Sequence, residues 1–184
     1  RSSIGILIRI LERETESPLV RYSAALSLSR IGDKRAAAPI AKLLLTQDSI
    51  LQTVAAEAIN RVFDPEAAPT LITAFSKHDP FLSKSAVKGL LRIGKTAAMS
   101  LIDGKLSADA HIRAACQAVW NQLAISPEDL VELGIVPSDE RYFRSETEDD
   151  TKQAAMIVHT VPNDVVAYYQ AMAKTAQEEI AAEK

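Results

Sequence analysis

From Val20 onward, apolar residues fall at i, i+4, i+8 and i+11, and the same stripe returns every 30 to 32 residues. Val20, Ala24, Leu28 and Ile31 make the first stripe, and Leu51, Ala55, Ile59 and Val62 the second. Leu82, Ala86, Leu90 and Ile93 follow, then Ile112, Cys116, Trp120 and Leu123. That spacing puts each set on one face of an α-helix. A turn signal closes the first three stripes: Gly32, Pro65 and Gly94. Glycine supplies a left-handed cap at a helix end, and proline suits the first turn of the next helix. A second apolar group follows each turn: Ile40, Leu43 and Leu44, then Leu71, Ile72 and Phe75, then Met99, Leu101 and Ile102. Asp48, Asp79 and Asp109 end the units and are expected to cap the helix that follows.

Each unit is therefore a helical hairpin that cannot bury its apolar faces alone, so consecutive units are expected to stack into an all-α solenoid. Residues 1–125 are assigned to this stack. Ser2 to Glu14, with Ile4, Leu7, Ile8 and Leu11, match a second helix, and a first helix is expected upstream of it. Past Ile125 the period fails, which sets residues 126–184 apart as a divergent helical C-terminal segment for capping or interaction. Ser126-Pro127-Glu128-Asp129 has the form of a helix start, and Asn163 opens a last helix to about Ala182. Met156, Ile157, Val158, Val165, Val166, Tyr169 and Met172 give this segment an apolar seam, expected to cover the open end of the stack.

The stretch VRYSAALSLSRIGDKRAAAPIAKLL closely resembles the short HEAT-like repeat of the phycobilisome lyases, with paired alanines, an Arg-Ile-Gly-Asp turn and an Ala-x-Pro opening to the second helix. The second unit keeps Asp64, Ala67, Ala68, Pro69 and Leu71 but has Phe63 for the glycine. The third keeps Arg92, Ile93 and Gly94 but has Lys95 for the aspartate and no proline. The resemblance covers about residues 17–125. It implies the solenoid fold, and it allows bilin lyase subunits, chaperone-like factors and signalling scaffolds as functions, among which fold alone does not choose.

Composition agrees with helices: 29 alanines stand against six glycines. Charge divides at the repeat boundary. Residues 1–125 carry 16 Lys and Arg against 11 Asp and Glu, whereas residues 126–184 carry 5 against 13, so a basic stack faces an acidic tail. Glu146, Glu148, Asp149 and Asp150 form the densest acidic cluster and read as a solvated linker or a recruiter of a basic surface. Arg30, Arg61 and Arg92 recur every 31 residues and form a ladder on stacked hairpins. Its structural reading is a favourable cation at each helix C-terminus, paired with Asp33 and Asp64; its functional reading is an anion-binding edge.

Catalytic signatures are absent from the sequence: it has no glycine-rich phosphate loop, HExxH or GxSxG. His78 and His111 are expected to come near each other on adjacent loops, and His159 lies apart. The lone cysteine, Cys116, aligns with the small alanines and reads as a packed core thiol. No metal or cofactor is expected. Nucleic-acid binding would ask for more charge and exposed aromatics than one tryptophan on a core stripe supplies. With no apolar run of membrane-spanning length and no signal peptide, a cytoplasmic protein is expected.

These readings converge on a non-enzymatic scaffold or adaptor that binds another protein on the concave side, lined by second helices. Lys42, Thr46, Thr73, Lys77 and Lys105 are its expected exposed contacts, and residues 151–184 are a candidate for self-association. The alternative implied by the resemblance is a subunit of a bilin lyase, or a chaperone-like factor acting on a tetrapyrrole-carrying protein, for which the arginine ladder would meet the propionates.

Overall fold

The computed structural model describes residues 3–135 and 163–183. Its helices are α1 (Ser3–Glu12), α2 (Pro18–Ile31), α3 (Ala37–Lys42), α4 (Ser49–Ile59), α5 (Ala68–Ala74), α6 (Pro80–Ile93), α7 (Ala98–Lys105), α8 (Ala110–Leu123), α9 (Pro127–Glu132) and α10 (Asn163–Ala182). The fold is an all-α solenoid. First helices α2, α4, α6 and α8 pack side by side in one layer, and second helices α3, α5 and α7 pack in the other. α1 precedes them against α2 and α3, in the place of a second helix.

Local chemistry sets each boundary. Asp48 accepts from the amides of Ile50 and Leu51 at 2.9 and 3.1 Å, Asp79 from Leu82 at 2.9 Å, and Asp109 from His111 and Ile112 at 2.8 and 3.3 Å. These are the expected N-caps, each satisfying amides that the first helical turn leaves unpaired. Gly32 ends α2 at φ 72°, ψ 18°, the left-handed cap the sequence called for.

The core follows the repeat stripe. Ala24, Ala55, Ala86 and Cys116 are buried, as are Leu28, Ile59 and Leu90. The stripe weakens at its ends, where Val20 and Ile31 of the first unit lie exposed and Trp120 is half-buried. Two glycines set the interlayer distance. A Cβ at Gly89 would lie 2.6 Å from Ile59 and 2.8 Å from Leu71, and one at Gly104 would collide with the Cys116 thiol.

The fourth unit is completed by a short second helix. Leu130 of α9 and Ile135 pack with Ala98 and Ile102 of α7, so residue 125 falls within a hairpin. α10 packs on the first-helix layer against α6 and α8, the last first helix of the stack. Tyr169, Ala173, Ala176 and Ile180, at i, i+4, i+7 and i+11, form its buried stripe, and Val165, Val166 and Met172 flank it half-buried. Met156, Ile157 and Val158 of the expected seam lie outside the described residues, as do His159 and the acidic cluster from Glu146 to Asp150.

Candidate partner-binding surfaces

The second-helix layer carries the expected contact residues, and the structure separates them. Lys42, Thr73 and Lys77 are exposed. Lys42 Nζ lies 3.8 Å from a Glu12 carboxylate oxygen, a solvent-exposed pair that holds it weakly. Thr46 is half-buried and donates its hydroxyl proton to the Leu43 carbonyl at 2.8 Å, closing the end of its own helix. Thr73 donates likewise to Pro69 at 3.0 Å but keeps its side chain at the surface.

Lys105 departs from the expectation. Its ammonium nitrogen sits 3.9 Å from the centroid of the Trp120 ring, in a cation–π contact, and the residue is half-buried. The cause is its place in the repeat, since at a spacing of 30 or 31 it aligns with a buried residue of the preceding second helix, Phe75 or Ala74. The turn after Gly94 is one residue shorter than the turn after Gly32, so Ala97 and Ala98 follow Ala67 and Ala68 by 30 residues, while the preceding stripe runs at 31. Lys105 thereby takes the helix position that Leu44 and Phe75 fill, both fully buried. Burial pushes its pKa down, against a small opposing effect of the nearby Cys116 thiol. The exposed register of Lys42 and Thr73 passes instead to Asp103. Burial also drives the Cys116 thiol up to about 12, which makes it an inert core group.

The first-helix layer holds the arginine ladder, and its three members differ. Arg30 and Arg61 are exposed and Arg92 is half-buried. The expected pairing with turn aspartates does not form. Asp33 is engaged by Arg35 of its own turn, through Nε at 2.9 Å and Nη2 at 2.7 Å, which holds its carboxyl at about 2. Asp64 instead accepts from the Glu66 amide at 3.1 Å.

Arg92 belongs to a ladder the sequence reading missed. Lys84, Lys88 and Arg92 stand at i, i+4 and i+8 on α6, opposite Glu179 and Glu183 at i and i+4 on or just past α10. Lys84 reaches Glu179 at 2.8 Å, Lys88 reaches Glu183 at 2.7 Å and Glu179 at 3.4 Å, and Arg92 also pairs with Glu183. Hydrogen bonds from Lys84 and Lys88 hold the Glu179 and Glu183 carboxyls, respectively, below their usual range. Only 13% of the Lys88 side chain is exposed, so its pairs are screened least. The signal was present in both helices as a helical charge spacing, but nothing local said that the two would meet.

At the two ends of the third unit, where it meets the second and the fourth, His78 and His111 do come together. Their rings stack with centroids 4.2 Å apart, His78 Nε2 lies 3.4 Å from Asp109 Oδ2, and Tyr169 presents its edge to His111 at 6.1 Å. The pair supports the seat of α10.

Comparison with known proteins agrees with this geometry. A sequence model of HEAT repeats matches residues 1–60, which span α1 to α4, and no curated protein matches the chain. The protein is an all-α solenoid of helical hairpins, and its residues 1–60 are similar to HEAT repeats. Among the described residues no helix is long and apolar enough to cross a membrane.

Proposed function

We propose that this protein is a non-enzymatic scaffold that binds a partner protein on its second-helix layer. One observation carries the reading: consecutive second helices stack side by side and leave Lys42, Thr73 and Lys77 exposed, while the opposite layer is partly taken by α10. A rigid row of short helices with outward polar groups offers a preformed surface and costs little ordering on association. Thr46 and Lys105 contribute less, the first bonded to its own helix and the second laid on Trp120.

Affinity capture with the intact chain and with a Lys42→Glu, Lys77→Glu variant tests this. The scaffold reading expects a protein retained by the first and lost from the second, in a salt-dependent manner. Equal capture by both would remove the second-helix layer as the site. The finer alternative, a factor for tetrapyrrole-carrying proteins, makes a separate demand: a free bilin mixed with the protein would change its absorption spectrum.

A further inference from the structure

The first-helix layer is covered by α10 only over α6 and α8, and it continues over α4 and α2. Repeat register relates the two halves. Lys84, Lys88 and Arg92 of α6 correspond, at 31-residue steps, to Thr53, Glu57 and Arg61 of α4 and to Tyr22, Leu26 and Arg30 of α2. Arginine closes the series each time. On α6 that arginine is met by Glu183, whereas Arg30 and Arg61 are exposed and no carboxylate pairs with them among the described residues.

Between α2 and α4 opens a cavity of about 480 Å³, walled by Leu26, Val54 and Ala58, edged by Glu57, Asn60 and Arg61, and bounded at one end by Glu183. The cavity thus reaches the end of α10 and offers an apolar floor edged by the Glu57 carboxylate and one unpaired cation, Arg61, with Arg30 exposed at the matching position of α2.

We propose that this face docks an amphipathic helix of a partner protein, laid across α2 and α4 as α10 is laid across α6 and α8, with a carboxylate at its C-terminal end for Arg30 and Arg61. The register also says what that helix lacks. Where α10 sets Glu179 against Lys84 and Lys88, the uncovered half presents Tyr22 and Leu26 on one helix and Thr53 and Glu57 on the other. A glutamate there would face Glu57 or an apolar side chain, so the ligand carries an apolar residue at that position. This excludes a second copy's α10 as the natural occupant and selects a different protein. The proposal extends the scaffold reading to the opposite layer. The Lys42 and Lys77 test reads the second-helix layer alone, so either can fail without the other.

The test uses the full chain and two fluorescein-labelled synthetic peptides of residues 163–184, one native and one carrying Glu179→Leu. Fluorescence anisotropy is expected to show saturable binding of the Glu179→Leu peptide at least tenfold tighter than that of the native peptide. An Arg30→Gln, Arg61→Gln chain, whose thermal melt should match the parent because both residues are exposed, is expected to bind it at least tenfold more weakly. No saturable binding, or binding indifferent to the two arginines, overturns the site. Equal or tighter binding of the native peptide makes the occupant a second copy and overturns the choice of partner. Faster hydrogen exchange over residues 163–183 on adding the peptide would mean that it displaces α10, which also overturns the proposal.

Discussion

Gly104 of α7 lies directly on the thiol of Cys116 in α8, so closely that no side chain fits between the two helices. Adjacent hairpins are clamped at this point by the absence of a Cβ on one side and a small residue on the other. Gly104→Ala should therefore overpack the junction and lower stability by about 1–3 kcal/mol, despite the helix propensity gained. Adding Cys116→Ala, the residue found at this position in the other units, should recover much of the loss. Urea unfolding of the two single variants and the double variant reads the coupling. Simple additivity would place the clash elsewhere.

Tyr169 anchors α10. Its ring is buried, meets Phe75 edge-on at 5.7 Å, and its hydroxyl lies 3.5 Å from that of Ser83. Tyr169→Ala should cost about 3 kcal/mol. It should also free the apolar sides of α6 and α8, so that light scattering detects self-association. A monomer with an unchanged melt would show that α10 contributes nothing to the fold.

Lys105 occupies an apolar register position at the expense of its own charge. Since its pKa is lowered in the folded state, the penalty on the ammonium is full at neutral pH and is relieved as pH rises through that lowered value towards the unfolded value of about 10.4. Lys105→Leu should raise the urea midpoint at pH 7 and abolish the alkaline gain. A lower midpoint would mean that the contact with Trp120 outweighs burial.

Asp109 gives the opposite sign. Burial works against its carboxylate, but the amides of His111 and Ile112 and the imidazole of His78 prevail and hold its pKa below the ordinary value. Its contribution is thus present above about pH 4 and is lost as pH falls through the lowered value. Asp109→Asn should retain a cap while flattening the acid limb of the stability profile. Thermal melts from pH 7 to pH 2.5 would reveal an unaltered limb if the assignment were wrong.

Asp48 tests the repeat punctuation by itself. It holds two amides of α4 and makes no ion pair among the described residues. Asp48→Ala should cost about 1 kcal/mol, and Asp48→Ser should restore most of it. The measurement is again a denaturant midpoint, and equal midpoints for all three chains would remove the cap from the account.

The hairpins, their caps and most of the core stripe are legible in the amino-acid order, because these depend on interactions within a few residues. An aspartate bonds amides two or three positions on, and apolar groups four apart share a face wherever the helix sits. Even the place of Lys105 was legible, since at a spacing of either 30 or 31 it aligns with an apolar residue of the preceding second helix, Phe75 or Ala74. The place of α10 emerges from long-range packing. Its stripe from Tyr169 to Ile180 could have covered any apolar surface, and its glutamates any row of cations. The choice fell to α6 and α8 because α9 already closes the fourth hairpin, and because Lys84, Lys88 and Arg92 present charge at the pitch of Glu179 and Glu183. Such matching joins residues more than 90 positions apart, and no local pattern encodes it.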